Sequence, residues 1–153
     1  MDQNNFFLSG QTAVVTGGAS GIGLATVKML SRVGANVIIA DINKTNGFDI
    51  AEQFKLQGKK VDYVYCDVSS ESSILTFIEQ ITKKNITIQI LMHFAGIGLE
   101  KKFINTTLND WNKIISVNLT GSFLMTKDIS KIMISQKYGR IITVSSVAGL
   151  RGG

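Results

Sequence analysis

The chain has 153 residues, 44% of them hydrophobic and 18% charged, which suits one folded domain over residues 1–153 and excludes a disordered chain. Its formal charge of +5 comes from scattered lysines, in groups such as Gln57–Lys60 and Glu100–Lys102. Nucleic-acid binding requires a basic stripe instead, so no nucleic-acid partner is expected. No apolar run approaches the roughly 18 residues of a membrane span, the amino terminus lacks a basic targeting region, and Cys66 is the only cysteine; a cytoplasmic protein with no membrane contact, disulfide or metal centre is expected.

In chain order, short apolar runs alternate with helical periodicity. Thr12–Thr16, "TAVVT", reads as a buried strand. A helix follows, with Ile22, Ala25, Thr26, Met29, Leu30 and Val33 expected on one inward face and Gly34 as its stop. "NVIIAD" (Asn36–Asp41) is the second strand, and a helix over about Asn46–Gln57 turns Ile50, Ala51 and Phe54 inward. "KVDYVYCDV" (Lys60–Val68) is the third strand. Ile74, Phe77, Ile78 and Ile81 then repeat at the spacing of an amphipathic helix. "IQILMHF" (Ile88–Phe94) is the fourth strand.

Thr107 and Asp110 form a capping-box pattern opening a long helical region, with Leu108, Trp111 and Ile115 on one apolar face. The periodicity runs on through Phe123, Ile129 and Met133, with a break expected near Asn118–Gly121 and an end before Gly139. "RIITVSS" (Arg140–Ser146) is the fifth strand. Five strands alternating with helices predict an α/β fold: a Rossmann-like, doubly wound parallel sheet with helices on both faces.

Between the first strand and first helix lies "TGGASGIG", Thr16–Gly23. A phosphate-binding turn needs a tight reversal, close backbone approach and a helix packed near the sheet, and Gly17, Gly21 and Gly23 permit all three. The helix would aim free N–H groups and a partial positive charge at an anion, with Ser20 and Ile22 beside it. An ordinary strand–helix turn also accounts for the glycines taken alone. Asp41 adds to the pattern: it ends the second strand, twenty positions after Gly21, where a carboxylate accepts from ribose hydroxyls and repels a 2′-phosphate. With Ser20 in the loop and Ile42 next to Asp41, no basic residue is there to neutralise that phosphate. NAD is therefore expected over NADP.

These motifs, with those that follow, resemble the short-chain dehydrogenase/reductase family over about Gly10–Gly153. "CDVS" (Cys66–Ser69) resembles the family segment that sets Asp67 and Val68 beside the adenine. "HFAG" (His93–Gly96) stands where the family has an Asn-Asn-Ala-Gly run, with Ala95 and Gly96 retained. "VNLTG" carries Asn118, which resembles the catalytic asparagine, and "GRIITVSSVAG" ends in Ser146, which resembles the catalytic serine. The resemblance implies NAD(H)-dependent hydride transfer on a small alcohol or ketone, and a homo-oligomer for a full-length member.

Two departures qualify this. The family's acid/base Tyr-x-x-x-Lys pair follows the serine, yet only seven residues follow Ser146, none of them Tyr or Lys. Tyr63, Tyr65 and Tyr138 are at the wrong places to substitute. The resemblance thus implies a sheet lacking its carboxyl-terminal strands and a chain that alone lacks catalysis; a non-catalytic dinucleotide-binding module or inactive fragment is the alternative. His93 is read as a strand-end residue bonded to a neighbouring backbone group rather than a catalytic one. Phe94 is expected to pack or to line the adenosine side.

Overall fold

The computed structural model describes residues 8–147 and 149; the amino-terminal segment over residues 1–7 and the closing residues 150–153 lie outside the described part. Five strands form: β1 (Thr12–Thr16), β2 (Asn36–Asp41), β3 (Val61–Tyr65), β4 (Ile90–His93) and β5 (Arg140–Thr143). All pair in parallel, in the order β3-β2-β1-β4-β5. The order reverses between β1 and β4, which opens a crevice at the carboxyl ends of these strands.

Alternation along each strand sends side chains into two separate cores. Val14, Ile38 and Leu91 face α3 (Glu71–Lys83) and α5 (Gly121–Ser135), meeting Ile74, Phe77, Ile81, Met125 and Ile129. Ala13, Val15 and Ile39 face α1 (Gly21–Arg32) and α2 (Lys44–Leu56), meeting Val27, Leu30 and Ala51. Both faces of the sheet are thereby covered at β1 and β2, as their near-continuous apolar runs require, whereas β5 is exposed along its length.

Three strands are shorter than the apolar runs suggest, and side chains explain two of them. Beyond Tyr65 only the Cys66 N–H still reaches β2, at the Asp41 carbonyl, and the Asp67 N–H donates instead to Ser73 Oγ at 2.9 Å. Before Ile90, the Gln136 amide takes the Ile88 N–H at 2.9 Å and donates to the Ile88 carbonyl at 2.7 Å, replacing a strand neighbour. β5 stops at Thr143 rather than Ser146. The second helix begins at Lys44, earlier than the spacing suggests, because the Asn43 side chain caps it by accepting from the Asn46 N–H.

The inward face expected for α1 is corrected. Ile22 and Met29 are exposed, and the buried stripe is Gly23, Val27, Leu30 and Ser31. Gly23 sets this rotation: a Cβ there would lie 2.1 Å from the Gly17 carbonyl oxygen, so the helix presses its glycine edge onto the loop.

The capping box at Thr107 is present, opening α4 (Leu108–Ile115). Its apolar face is not inward, since Leu108 and Trp111 are exposed. In place of a break, a π-helical turn at Ser116–Thr120 joins α4 to α5 without interruption. A π-turn adds a residue to the helical repeat, so the phase that runs through Trp111 does not carry on to Phe123. Phe123 is exposed, and Leu124, Met125, Ile129 and Met133 take the core.

Candidate cofactor site

A cleft of ≈ 560 Å³ opens where the strand order reverses. Its first wall is the loop after β1. Gly17 turns with φ +64, and a Cβ on it would stand 3.0 Å from the Ala95 N. Gly21 also takes a positive φ, +49, a backbone shape that glycine adopts at little cost. Ser20 precedes α1 in an extended conformation and makes no side-chain cap bond. The N–H groups of the first turn therefore keep no side-chain acceptor, and Gly21, Ile22 and Gly23 line the cleft. An uncapped helix start of this kind attracts an anion.

The second wall is the end of β2. Asp41 is nearly buried, and its carboxylate is held from two sides: Oδ2 accepts from the Ala19 N–H at 2.9 Å and Oδ1 from the Asn43 N–H at 2.9 Å. The acid thus ties the glycine loop to the entry of α2 while facing the cleft. Asp67 and Val68 form the next part of the rim. Asp67 Oδ1 accepts from the Ser69 N–H at 2.9 Å and from Ser69 Oγ at 2.7 Å. Cys66 also lines this side; burial pushes its thiol up to about 12, so it stays protonated and unreactive.

The far wall follows β4, where Phe94, Ala95 and Gly96 line the cleft, and Phe94 packs against the α1/α2 core as well. Thr16 organises this corner. Its Oγ1 accepts from the Phe94 N–H at 3.1 Å and the Ala95 N–H at 3.0 Å, and lies 3.0 Å from His93 Nδ1. The partner of His93 is therefore the Thr16 hydroxyl and not the backbone group expected from sequence. Burial lowers the His93 pKa to about 4, so the ring is neutral.

All ten expected cofactor residues, from Gly17 to Gly96, come together around this one cleft. The two expected catalytic residues stand apart from that lining. Asn118 lies in the π-turn and clamps the loop after β4: Oδ1 accepts from the Ile97 N–H and Nδ2 donates to the Ile97 carbonyl, both at 2.9 Å. Ser146 is exposed, three residues past the end of β5, and its carbonyl accepts from the Gly149 N–H at 3.1 Å. Sequence reasoning missed Lys113, Ser116 and Val117, which also line the cleft. A signal was present: Lys113 and Val117 are four apart and share a helical face beside Asn118.

A parallel sheet with a glycine turn, an open helix start and an acid at the next strand end defines a nucleotide-binding domain of the Rossmann type. The chain belongs to the short-chain dehydrogenase family, whose profile matches residues 11–153. It is 37% identical over 148 residues to an uncharacterized oxidoreductase, YgcW, of Escherichia coli strain K12, covering 97% of this chain and 56% of that protein. It is 38% identical over 146 residues to the 3-oxoacyl-[acyl-carrier-protein] reductase FabG of Aquifex aeolicus, covering 95% and 59%. A gluconate 5-dehydrogenase from Burkholderia cenocepacia J2315, solved in complex with NADP and tartrate, superposes with a TM-score of 0.88 at 30% identity, covering 94% of this chain and 56% of that one. The chain spans about half the length of the curated relatives it matches. The family's cofactor is a nicotinamide dinucleotide, NAD or NADP. Among the described residues, no helix is long and apolar enough to cross a membrane.

Proposed function

We propose that this chain is the dinucleotide-holding part of an oxidoreductase that interconverts an alcohol and a ketone, and that it takes NAD(H) in preference to NADP(H). The observation that carries this reading is the convergence of the open α1 start and the Asp41 carboxylate on one cleft. The groups present fit such a cofactor. The loop carries no side chain where Gly17 and Gly23 pass close to backbone, the N–H groups of Gly21–Gly23 suit a pyrophosphate, and Asp41 suits a ribose diol. When bound, the nicotinamide ring supplies the hydride acceptor or donor.

Asp41 also sets the cofactor choice, because a 2′-phosphate would meet its charge directly. Lys113 is the one cation in the described lining, and α4 carries it rather than the loop beside Asp41. On the substrate side, Ser146 would fix the substrate oxygen, while Asn118 holds the loop at Ile97. A homo-oligomer of the full-length protein belongs to the same reading, supported by the exposed Leu108 and Trp111 of α4.

Fluorescence titration of the purified chain tests this. NADH is expected to saturate at a concentration about tenfold below NADPH, a difference of about 1.4 kcal/mol. Equal or reversed affinities overturn the NAD(H) assignment, and binding of neither nucleotide overturns the cofactor reading for this chain.

A further inference from the structure

We infer that Tyr63 is a positioning residue for cofactor choice, holding the Asp41 backbone so that its carboxylate meets the nucleotide in one orientation. The inference rests on the NAD(H) reading of the cleft. Tyr63 stands on β3 opposite Ile39, two residues short of Asp41 along β2. Its hydroxyl reaches forward and donates to the Asp41 carbonyl oxygen at 3.0 Å. The same oxygen accepts from the Cys66 N–H at 3.2 Å, so both of its lone pairs are used. That peptide leads two residues on to Asn43, whose N–H donates to Asp41 Oδ1, so fixing it bears on how the carboxylate is held.

The ring is seated under the first turn of α2. A Cβ on Gly47 would lie 2.3 Å from the ring carbons of Tyr63, so only glycine lets the helix settle there. Gly47 N–H donates to the Asn43 carbonyl at 2.9 Å, and Asn43 N–H in turn donates to Asp41 Oδ1. Tyr63, Gly47, Asn43 and Asp41 thus close a circuit around one carboxylate. Burial, and then the Asp41 charge, push the phenol up to about 12, which keeps it a donor at any ordinary assay pH. Core packing alone would be served by the ring and leaves the hydroxyl without a purpose.

This distinction is measurable with Tyr63→Phe, which keeps the ring and removes the donor. NADH and NADPH are titrated into wild type and variant, with thermal midpoints recorded alongside. The variant is expected to lower the midpoint by only a few degrees, about the worth of one internal hydrogen bond, and to weaken NADH by about three- to tenfold through the loosened Asp41. NADPH is expected to change far less, because Asp41 offers its 2′-phosphate no favourable contact. Gly47→Ala, which displaces the ring, is expected to narrow the NADH preference in the same direction. If both nucleotides weaken by one factor, or neither moves, Tyr63 is a packing residue and the inference is overturned. Asp41→Ala separates the two levels. An unchanged NADH affinity there sinks the NAD(H) reading itself, whereas a loss there with an unaffected Tyr63→Phe sinks only the positioning role.

Discussion

His93 shows how a single residue acquires its properties. Thr16 Oγ1 already accepts two backbone N–H groups, so its own proton goes to His93 Nδ1. The ring proton then sits on Nε2, which has no partner among the described residues. At 3% exposure the ring is desolvated, and a second N–H would face the Thr16 hydroxyl that now donates to it. The folded pKa is depressed, from 6.5 to about 4. Above pH 6.5 the ring is neutral in folded and unfolded chains alike; as pH falls from 6.5 to 4, only the unfolded chain takes the proton, so stability drains across that window. The loss is expected to reach about 3 kcal/mol. Urea midpoints of wild type and His93→Asn at pH 7 and pH 4 measure it, wild type losing the more; parallel pH curves would refute the assignment. That His93 is a polar strand-end residue was legible from its place in the apolar run. Its partner was not, because Thr16 lies 77 positions earlier and only the β1–β4 pairing brings the two together.

Among the elements, α3 and α1 make an instructive contrast. In α3 the local spacing of Ile74, Phe77 and Ile81 coincides with the buried stripe, because nothing but the core competes for that face. Phe77 is fully buried, and Phe77→Ala is expected to destabilise the chain by about 3–5 kcal/mol in denaturant unfolding. A loss under 1 kcal/mol, on the order of a surface change, would contradict the packing described. In α1 the apolar residues outnumber the places at the core, and the contact of Gly23 with the Gly17 carbonyl decides which of them go in. Ile22 is left at the cleft and Met29 in solvent. The same logic governs the long helical region. Its capping box was legible as a local pattern, but the π-turn at Ser116–Thr120 follows from contacts at a distance. Gly121 passes so close to the Val68 carbonyl that a Cβ would stand 2.7 Å from it, and Asn118 turns out to hold Ile97.

At the scale of the whole molecule, the apolar surface is unevenly shared. The central strands are covered on both faces, yet β5 is an exposed edge carrying Ile141 and Ile142, and α4 presents Leu108 at 74% and Trp111 at 56% exposure. Exposed large apolar side chains side by side on a helix favour association. Size-exclusion chromatography is expected to give wild type a mass above the monomer and Trp111→Glu a lower one; a monomeric wild type would refute this.

The sequence by itself determined the order of the elements, the glycine turn, the acid closing the second strand and the resemblance that these motifs carry, because each motif is a short local pattern and their order along the chain is read directly. Only the tertiary structure decided how those pieces are used. The strand-order reversal gathered ten residues from four separate stretches of chain into one cleft, the Gly23 contact with Gly17 rotated α1, the contacts of Gly121 and Asn118 set the phase of α5 through a π-turn, and the β2–β3 pairing placed Tyr63 beneath Asp41. The physical reason is that these outcomes turn on contacts between segments far apart in the chain, where close packing admits one arrangement and local periodicity admits several.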